Sequence, residues 1–359
     1  MVLGSSTTIQ MQLVEKQPAV FAKDDFEIEQ HLGSGSFSSV YSVTRRSNKS
    51  FARLDSGCTN KTEDSSCDSE RNGSCSISPS GQPRPIALKN LHKHTLKCPI
   101  KTKQAHKDML IEVEILCSVP SHPNIITLHG ISDDFYVSSQ TAFMIQEQLD
   151  TTLDKSIRIW RKKEKRDKHR IHKLVFSHQN HANETSQALR IMTVAVDLAK
   201  AVSFLHQHNI IYRDLKPENC GFDAAGNVRL FDFGFSKIIP PSSKKDENFK
   251  LTTCIGTLNY MAPEICREEH YNLSADVYSF GSVLWELCTL EQPYGKVRGR
   301  QALVKVVRDW GSRPSCKKIA SKGVEQILDN CWQRDARRRP SFSQLEADLT
   351  TEVEKSLGY

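Results

Sequence analysis

The stretch YRDLKPEN at residues 212–219, followed by the tripeptide DFG at residues 232–234, decides how this sequence is interpreted. Asp214 can accept the hydrogen bond of an incoming hydroxyl group. Asn219 lies on the same short segment, so a loop can place its amide oxygen on a metal ion. Asp232 adds an ionised carboxylate, which is a hard oxygen ligand that suits Mg²⁺. The two motifs therefore predict a hydroxyl acceptor beside a pair of metal ligands.

Two further motifs can hold phosphate groups. The glycine-rich turn GSGSFSSV at residues 33–40 allows the backbone to approach a ligand closely. Lys89 ends the predicted strand IALK and can pair with phosphate oxygens if Glu112, on the next helix, holds it in place. Taken singly, such a turn is typical of ordinary hairpins and such a lysine of a solvated strand end. Together with Lys216, which follows Asp214 and can reach a terminal phosphate, they predict phosphoryl transfer.

Hydrophobic periodicity predicts a sheet-rich first part and a larger helical second part. Strands are predicted at residues 26–32, 37–43, 86–89 and 143–145. Helices are predicted at residues 108–119, 188–206, 275–287, 302–310, 323–331 and 343–350. The sequence shows no internal repeat. This order of elements indicates an α+β protein.

Two stretches interrupt the pattern. Residues 47–85 hold ten serines and few large apolar side chains, so they cannot offset the entropy of ordering and are predicted to be a disordered loop. Residues 155–173 contain ten Lys/Arg and two Asp/Glu, and this local balance of +8 accounts for the net charge of +7 of the whole chain. A solvated basic loop is expected there. The alternative is a surface for nucleic acid or membrane lipid, although the rest of the chain is close to neutral.

Composition limits the class of protein. The chain has 359 residues, of which 38% are hydrophobic, so it can bury a large core. The eleven cysteines include no C-x-x-C pair, which argues against a structural zinc site. No apolar run has the length of a membrane span, and residues 1–17 lack the pattern of a signal peptide. Val2 excludes N-myristoylation. We expect a cytoplasmic or nuclear location.

The motifs resemble those of the eukaryotic protein kinase family. They occur in the order of that family: LGSGSFSSV, IALK, Glu112, YRDLKPEN, DFG and MAPE at residues 261–264. The resemblance implies a two-lobed fold, with a small β-rich N-terminal lobe, a larger α-helical C-terminal lobe and ATP in the cleft between them. The domains expected from it are a flexible arm at residues 1–25, a kinase domain at 26–350 with insertions at 47–85 and 155–187, and a tail at 351–359.

The resemblance also implies roles by position. Asp214 would be the catalytic base, with Lys216 beside it at the γ-phosphate. Asn219 and Asp232 would bind Mg²⁺, and Lys89, paired with Glu112, would bind ATP phosphates. The other residues expected around ATP are Leu32, Gly33, Ser34, Gly35, Ser36, Phe37, Val40, Ala87, Gln146, Glu147 and Leu149.

Supporting roles and departures follow from the same comparison. Glu264 would form a structural ion pair with Arg339, and Asp276 would brace the catalytic loop. Tyr212 replaces the histidine that is more common in the family. Gly221 stands where the family usually has a leucine beneath adenine.

Subgroup features indicate the acceptor. Lys216 is typical of serine/threonine kinases, and the sequences GSRP at residue 311 and CWQRDARRRPSF at residue 331 resemble the tyrosine-kinase-like group. Protein substrates are therefore expected, with no specific nucleic acid. The alternative is a pseudokinase or scaffold of the same fold, although each of the expected reaction residues is present.

A regulatory site is expected between the DFG and MAPE motifs. In kinases that this chain resembles, an arginine in the position of Arg213 binds a phosphate on the activation loop. Thr253 is the expected phosphorylation site and Thr252 the alternative, so an upstream activating kinase is a possible partner. Thr257 is expected to help position the substrate near Asp214.

Overall fold

The computed structural model describes residues 16–46, 85–171, 180–240, 248–251, 256–308 and 311–357, and it describes no side chain between residues 167 and 187. Contacts divide this chain into two compact units. Residues 16–110 and 127–148 belong to the first unit, and residues 111–126 and those from 149 onward belong to the second. The serine-rich insertion predicted at residues 47–85 lies outside the described residues except for Pro85.

The described part of the first unit is a sheet with flanking helices. In chain order its elements are β1 (Ala19–Phe21), β2 (Phe26–Ser34), β3 (Ser38–Arg45), β4 (Ile86–Leu91), α1 (Lys93–Leu96), the first part of α2 (Pro99–Ser118), β5 (Leu128–Ser132) and β6 (Phe143–Glu147). The six strands form one sheet in the order β1-β5-β6-β4-β3-β2. Neighbouring strands are antiparallel, except that β1 runs parallel to β5.

A small apolar cluster fixes the middle of this sheet. One side chain each from β2, β3 and β4 and two from β6 are buried together: Phe26, Val43, Leu88, Phe143 and Ile145. The rings of Phe26 and Phe143 meet edge to face at 6.3 Å. Because a shift of one residue would turn each side chain to the opposite face, this cluster sets the register of β4, the strand that carries Lys89.

The flexible arm expected at residues 1–25 includes an ordered strand, so this expectation was wrong for β1. Ala19 pairs with Gly130 of β5, and the Phe21 ring packs on Phe26 at 5.2 Å. A β-carbon on Gly130 would lie 2.4 Å from the carbonyl oxygen of Ala19 and from the Phe21 ring. A strand of three residues is too short to show periodicity in the sequence. Its order comes from the tertiary contact with β5.

The second unit is mainly helical. Its elements are β7 (Thr151–Thr152), α3 (Leu153–Ile171), α4 (Asn180–Gln207), β8 (Ile210–Ile211), β9 (Cys220–Phe222), β10 (Val228–Leu230), β11 (Lys237–Ile238), α5 (Pro263–Cys266), α6 (Ser274–Thr289), α7 (Arg300–Arg308), α8 (Lys322–Cys331) and α9 (Phe342–Leu357). The α+β prediction, with a sheet-rich first part and a larger helical second part, is confirmed.

The helix α6 forms the centre of this unit. Each of its residues from Ala275 to Leu287 is buried, as expected of a helix surrounded by protein. α4 packs against both α6 and α9 and contributes Leu198, Val202 and Leu205, which are fully buried. The segment between α4 and α6 is thereby attached to rigid helices at both ends.

The basic stretch is helical up to Ile171, so the expected solvated loop was wrong for most of it. Lys, Arg and Glu favour helices, and Leu153, Ile157 and Trp160 recur at helical spacing on the face that packs against the protein. The helix predicted from residue 188 begins earlier, at Asn180. Polar residues at 180–187 hid this start.

The C-terminal tail expected from residue 351 is also helical, because α9 continues to Leu357. Glu352, which is 9% exposed, accepts a hydrogen bond from the Ser321 hydroxyl at 2.6 Å. Lys355 pairs with the same carboxylate at 2.7 Å. These contacts, which join residues 31 and 3 positions apart in sequence, stabilise the last turns of the helix.

Candidate active site

Asp214 lies at the centre of a hydrogen-bonded cluster in the second unit. Its Oδ2 atom accepts hydrogen bonds from Lys216 Nζ at 2.6 Å and from Asn219 Nδ2 at 2.9 Å. Its Oδ1 atom accepts from the backbone N–H of Thr257 at 3.0 Å and from the Thr257 hydroxyl at 3.2 Å. Lys216 Nζ also donates to that hydroxyl at 2.9 Å. The structure thus brings together four residues that the sequence placed in or near one site.

Burial and neighbouring charges shift the pKa of Asp214 in this cluster. Asp214 is 5% exposed, and burial raises the pKa of its carboxyl above the ordinary value, while the ammonium group of Lys216 acts in the opposite direction. The carboxylate of Asp232 also raises the pKa of Asp214. A carboxylate with a raised pKa is a stronger proton acceptor, and a fixed set of donors orients it.

Hydrogen bonds to Asp276 hold the loop that carries Asp214. This carboxylate, at the start of α6, accepts the backbone N–H groups of Tyr212 and Arg213, each at 2.8 Å. Its Oδ2 atom also lies 2.9 Å from His206 Nε2. The predicted brace is confirmed. His206 was missed, because a single histidine at the end of an amphipathic helix gives no signal in the sequence.

Gly256 allows the segment that carries Thr257 to approach this loop. Its backbone has a φ of 103°, in the left-handed region that favours glycine. A β-carbon there would lie 2.7 Å from the carbonyl oxygen of Arg213. The close approach places the Thr257 amide on Asp214.

Asn219 and Asp232 offer oxygen atoms of the kind that Mg²⁺ prefers. Asn219 uses its amide nitrogen for the bonds to the backbone oxygen and side chain of Asp214, so its amide oxygen remains an acceptor. Asp232 has a φ of 64° and is close enough to act electrostatically on Asp214 and Tyr212. One amide oxygen and one carboxylate fit a divalent cation that takes its remaining ligands from water and phosphate.

Tyr212 fills the place expected for a packing residue. It is fully buried, its hydroxyl donates to the backbone oxygen of Phe231, and its ring meets Phe233 edge to face at 5.3 Å. The pKa of Tyr212 is raised well above its usual value, with burial as the main cause. The tyrosine therefore links the Asp214 loop to the segment that carries Asp232.

Arg213 points toward the segment that precedes the expected phosphorylation sites. Its side chain donates to the backbone oxygen of Phe235 and to the hydroxyl of Tyr271, the latter at 3.4 Å. Tyr271 in turn pairs through its backbone with Phe249. Thr252 and Thr253 follow this bridge but lie outside the described residues.

The ion pair expected between Glu264 and Arg339 is confirmed. Two parallel hydrogen bonds join the guanidinium and carboxylate groups, at 2.6 and 2.9 Å, and both residues are buried. Arg339 also donates to the backbone oxygens of Ser274 and Gln333. Satisfied in this way, the pair attaches α5 to the segment before α9.

Gly221 lies beside Leu149 in the second unit. A β-carbon on Gly221 would lie 2.7 Å from Cδ1 of Leu149 and 3.1 Å from the backbone oxygen of Thr151. The Leu149 side chain therefore occupies the space next to the strand position where the family usually has leucine, and a larger residue at 221 would displace it.

In the first unit, the glycine-rich turn joins β2 and β3. The N–H of Gly35 donates to the backbone oxygen of Ser38 at 2.8 Å, which closes the turn. On β4, Lys89 lies opposite Val40 of β3 and Met144 of β6 in the sheet, and the residue is 7% exposed. Ala87 is fully buried on the same strand. Glu112, 1% exposed, lies on the part of α2 that belongs to the second unit.

The end of β6 carries the residues expected next to adenine. Gln146 pairs with Ala87, and its side-chain oxygen is buried with no hydrogen-bond partner among the described residues. Such an atom fits a ligand that donates a hydrogen bond. Glu147 instead uses its carboxylate to accept the N–H of Thr127, and its own N–H donates to the backbone oxygen of Thr127, each at 3.0 Å.

Comparison with known protein families shows to which of them this chain belongs. The model of the protein tyrosine and serine/threonine kinase family matches residues 26–349, most of the chain. The chain belongs to this family. Its two-lobed kinase fold accounts for the sheet-rich first unit and the helical second unit. Members of the family use ATP, generally with a divalent metal ion, and act on proteins.

Individual kinases show similarity over part of the chain. Serine/threonine-protein kinase STY46 of Arabidopsis thaliana is 38% identical over 168 residues, which cover 47% of this chain and 28% of that protein. Serine/threonine-protein kinase CTR1 of the same plant is 35% identical over 186 residues, covering 50% of this chain and 21% of that protein. Dual specificity protein kinase shkD of Dictyostelium discoideum is 28% identical over 235 residues, covering 65% and 28%.

The chain thus spans less than a third of the length of these curated relatives. Among the described helices of this kinase-family chain, none combines the length and apolar character needed to cross a membrane.

Proposed function

We propose that this chain is a protein kinase that transfers the γ-phosphate of ATP to serine or threonine hydroxyls of protein substrates, with Mg²⁺ as cofactor. The arrangement of donors around Asp214 is the observation that carries the proposal. The names of STY46 and CTR1, both serine/threonine kinases, support the choice of acceptor. Lys216, at 2.6 Å from Asp214, agrees with it.

The proposed chemistry depends on position more than on covalent participation. Asp214 accepts the hydrogen bond of the substrate hydroxyl and orients it. Lys216, whose ammonium group lies between Asp214 and Thr257, neutralises charge on the transferred phosphate. Asn219 and Asp232 hold Mg²⁺, which supplies charge neutralisation at the phosphates when bound.

Other residues are proposed to hold the nucleotide. Lys89, supported by Glu112, binds phosphate oxygens, and the turn Leu32–Val40 covers them through its backbone. Gln146, Glu147 and Leu149 contact adenine with Ala87. The buried acceptor atom of Gln146 and the closed glycine turn support these assignments. A location in the cytoplasm or nucleus and control by an upstream activating kinase are part of the same proposal.

The alternative function is that of a pseudokinase, a binding or scaffold protein of the same fold. It requires the loss of a reaction residue. Lys89, Glu112, Asp214, Asn219 and Asp232 are all present, and Asp214 keeps four hydrogen bonds from side chains and backbone. The enzyme is therefore favoured over the scaffold.

Two substitutions test the enzyme. Asp214→Asn and Asp232→Ala are each expected to reduce phosphate transfer to a generic protein substrate by about 10³-fold or more, because each removes a transition-state or metal contact. Asp329→Asn, on the exposed face of α8, is the matched control and retains the parent rate.

The measurement is incorporation of labelled phosphate from Mg-ATP, with serine, threonine and tyrosine peptides as acceptors. Thermal melting without nucleotide checks that both variants fold. Parent-level transfer by either variant would refute the assigned roles, and absence of transfer by the parent chain would favour the scaffold. Equal use of a tyrosine peptide would extend the acceptor class to that named for shkD.

A further inference from the structure

The helix α3 is a strongly basic surface element. Its described side chains, from Leu153 to Arg166, include two acidic residues, Asp154 and Glu164, and seven basic ones. All seven basic side chains are exposed: Lys155, Arg158, Arg161, Lys162, Lys163, Lys165 and Arg166. This concentration of positive charge has no role in the proposed phosphate chemistry.

The first half of α3 packs against the protein, whereas the second half contributes no buried side chain among those described. Leu153 and Ile157 are buried, and Trp160 lies under the guanidinium group of Arg190, which is 5.4 Å from the ring centre. None of the side chains from Arg161 to Arg166 is buried. The basic side chains of the second half are therefore exposed, whereas Glu164 is half-buried.

The spacing of these charges is unfavourable in the isolated chain. Arg161 and Lys165, and likewise Lys162 and Arg166, are four residues apart on the helix, so each pair lies on one face and repels. Attraction of Arg161 to Glu291 and the ion pair of Arg158 with Asp154 offset only part of the positive charge. Such a helix is stabilised by a partner that brings negative charge, because binding removes the repulsion and releases counterions.

The position of α3 indicates which partner. The helix packs against the turn Pro217–Asn219 and against β9, which are continuous with the loop that carries Asp214. Arg158 is close enough to Glu286 to oppose the effect of burial on its carboxyl. A chain that docks on α3 is thus held by a helix that is attached to the segment carrying the reactive loop, on the same unit as Asp214.

We propose that α3 is a docking surface for an acidic tract in the protein substrate, an inference that rests on the proposed kinase function. Eight residues separate Arg158 from Arg166, which is about 12 Å along a helix, the length of about four extended residues. A tract of about six Glu or Asp residues covers this surface. Docking raises the local concentration of the acceptor hydroxyl, so it acts on KM more than on kcat.

Two other anionic partners fit the described surface less well. A helix that lies in a membrane needs an exposed apolar face, whereas the apolar side chains described for α3 pack against the protein, apart from Ile159 at 59% exposure. Single-stranded nucleic acid is usually held by aromatic stacking, whereas Trp160, the aromatic residue of α3, is covered by Arg190.

The experiment uses the full chain and two peptides that differ only in a flanking tract. Each peptide contains the same Ser/Thr acceptor, followed by about six glutamates in one and about six glutamines in the other. Steady-state kinetics at about 50 mM and about 500 mM salt give kcat and KM, since salt screens exposed charges. Fluorescence anisotropy of each labelled peptide, without ATP, measures docking independently of catalysis.

The parent chain is expected to show a KM about tenfold lower for the glutamate peptide at low salt, with the difference lost at high salt. The triple substitution Arg161→Gln, Lys162→Gln, Lys165→Gln is expected to abolish this preference in both kinetics and anisotropy. The matched control neutralises three exposed lysines of another helix, Lys101→Gln, Lys103→Gln, Lys107→Gln, and is expected to keep the preference.

Several outcomes separate the two proposals. If neither peptide is phosphorylated, the proposed function fails, and anisotropy alone decides the docking surface. If both peptides are phosphorylated with the same KM and bind equally, the docking inference fails and the kinase proposal stands. A preference that survives the α3 triple substitution also overturns the inference. The inference is likewise overturned if the triple variant loses binding to vesicles with about 20% phosphatidylserine, or to single-stranded RNA, but keeps the peptide preference.

Discussion

Glu286 is a buried carboxyl group that the proposed chemistry does not use. It lies on α6, is 8% exposed and accepts a hydrogen bond from the Tyr260 hydroxyl at 2.6 Å. Burial raises its pKa from 4.5 to about 7, and the nearby carboxylates of Glu218 and Asp154 act in the same direction, whereas the hydrogen bond from Tyr260 and the charge of Arg158 oppose them. The charged form is therefore unfavourable in the folded protein.

Glu286→Gln is expected to stabilise the protein in alkaline solution. Because the folded pKa lies above the unfolded value, the folded state binds the proton more tightly, so this contribution to stability is full below about pH 4.5 and falls as the pH rises through about 7. The glutamine resembles the protonated form. The gain should be on the order of 2–3 kcal/mol at about pH 8 and close to zero at about pH 5.

Thermal melting of the parent and variant at the two pH values measures this difference. The substitution Glu354→Gln, on the exposed face of α9, serves as the control. An equal shift of the melting temperature at both pH values would show that Glu286 acts through packing rather than through its charge.

Thr253 is expected to control the activity through Arg213. A phosphate there adds about −1.5 to −2 charges four residues after Phe249 in the sequence. Phe249 pairs with Tyr271, which Arg213 already contacts. Thr253→Ala is expected to reduce transfer at least about tenfold, or about 1.4 kcal/mol, and Thr252→Ala much less. Mass spectrometry of active protein and rates for both variants and for Arg213→Ala provide the measurement. Unmodified Thr253 in fully active protein would place the control elsewhere.

At the scale of elements, the sequence predicted the helices and strands with strong periodicity. β4, β6, α6 and α8 were found close to their predicted bounds, because each has a continuous buried face. The starts of α2 and α4 were missed, since their first turns are polar and are ordered by the helix that follows. β1 and β5 were missed because short strands depend on tertiary pairing.

The residues of the candidate site likewise fall into those that the sequence could predict and those that it could not. The motifs predicted which residues gather around Asp214, because those residues lie on one short loop or close to it. The contacts of His206 and Tyr271 could not be predicted, since these side chains come from distant elements and only the fold brings them to Asp276 and Arg213.

The packing of α6 against α8 depends on the absence of a side chain at Gly281. A β-carbon there would lie 2.7 Å from Cβ of Cys331 and 2.9 Å from Nε1 of Trp332. Gly281→Ala is expected to destabilise the protein by about 1–3 kcal/mol, although alanine favours helices, because the buried β-carbon of Cys331 and the ring of Trp332 must move.

Gly323→Ala, in the first turn of α8, is the comparison. Its new methyl group would meet the carboxylate of Glu352, the far end of a flexible side chain that can rotate away, although it then gives up its hydrogen bonds with Ser321 and Lys355. Chemical denaturation of both variants gives the free energies of unfolding. A cost for Gly281→Ala no larger than that for Gly323→Ala would mean that the two helices separate easily.

At the scale of the whole molecule, the long serine-rich segment joins two strands that are already paired. Val43 of β3 lies opposite Ile86 of β4. Arg46 donates its N–H to the backbone oxygen of Asp25, and Pro85 accepts the N–H of Gln148, so both ends of the segment are anchored. The segment itself lies outside the described residues.

Replacing residues 47–84 by a linker of about five Gly and Ser residues is expected to leave kcat/KM within about threefold of the parent value, because the linker only has to connect adjacent strands. The measurement is phosphorylation of a generic substrate by the shortened protein. A loss greater than about tenfold, or about 1.4 kcal/mol, would show that the serine-rich segment takes part in catalysis.

Asp276 provides a natural reporter for hydrogen–deuterium exchange. Its carboxylate is 1% exposed and holds the amide protons of Tyr212 and Arg213. These two amides can exchange with solvent only when the bond across 64 and 63 residues of sequence opens. Their exchange rates therefore measure how often the reactive loop separates from α6, and nucleotide binding that tightens this attachment would appear as slower deuterium uptake at two backbone positions.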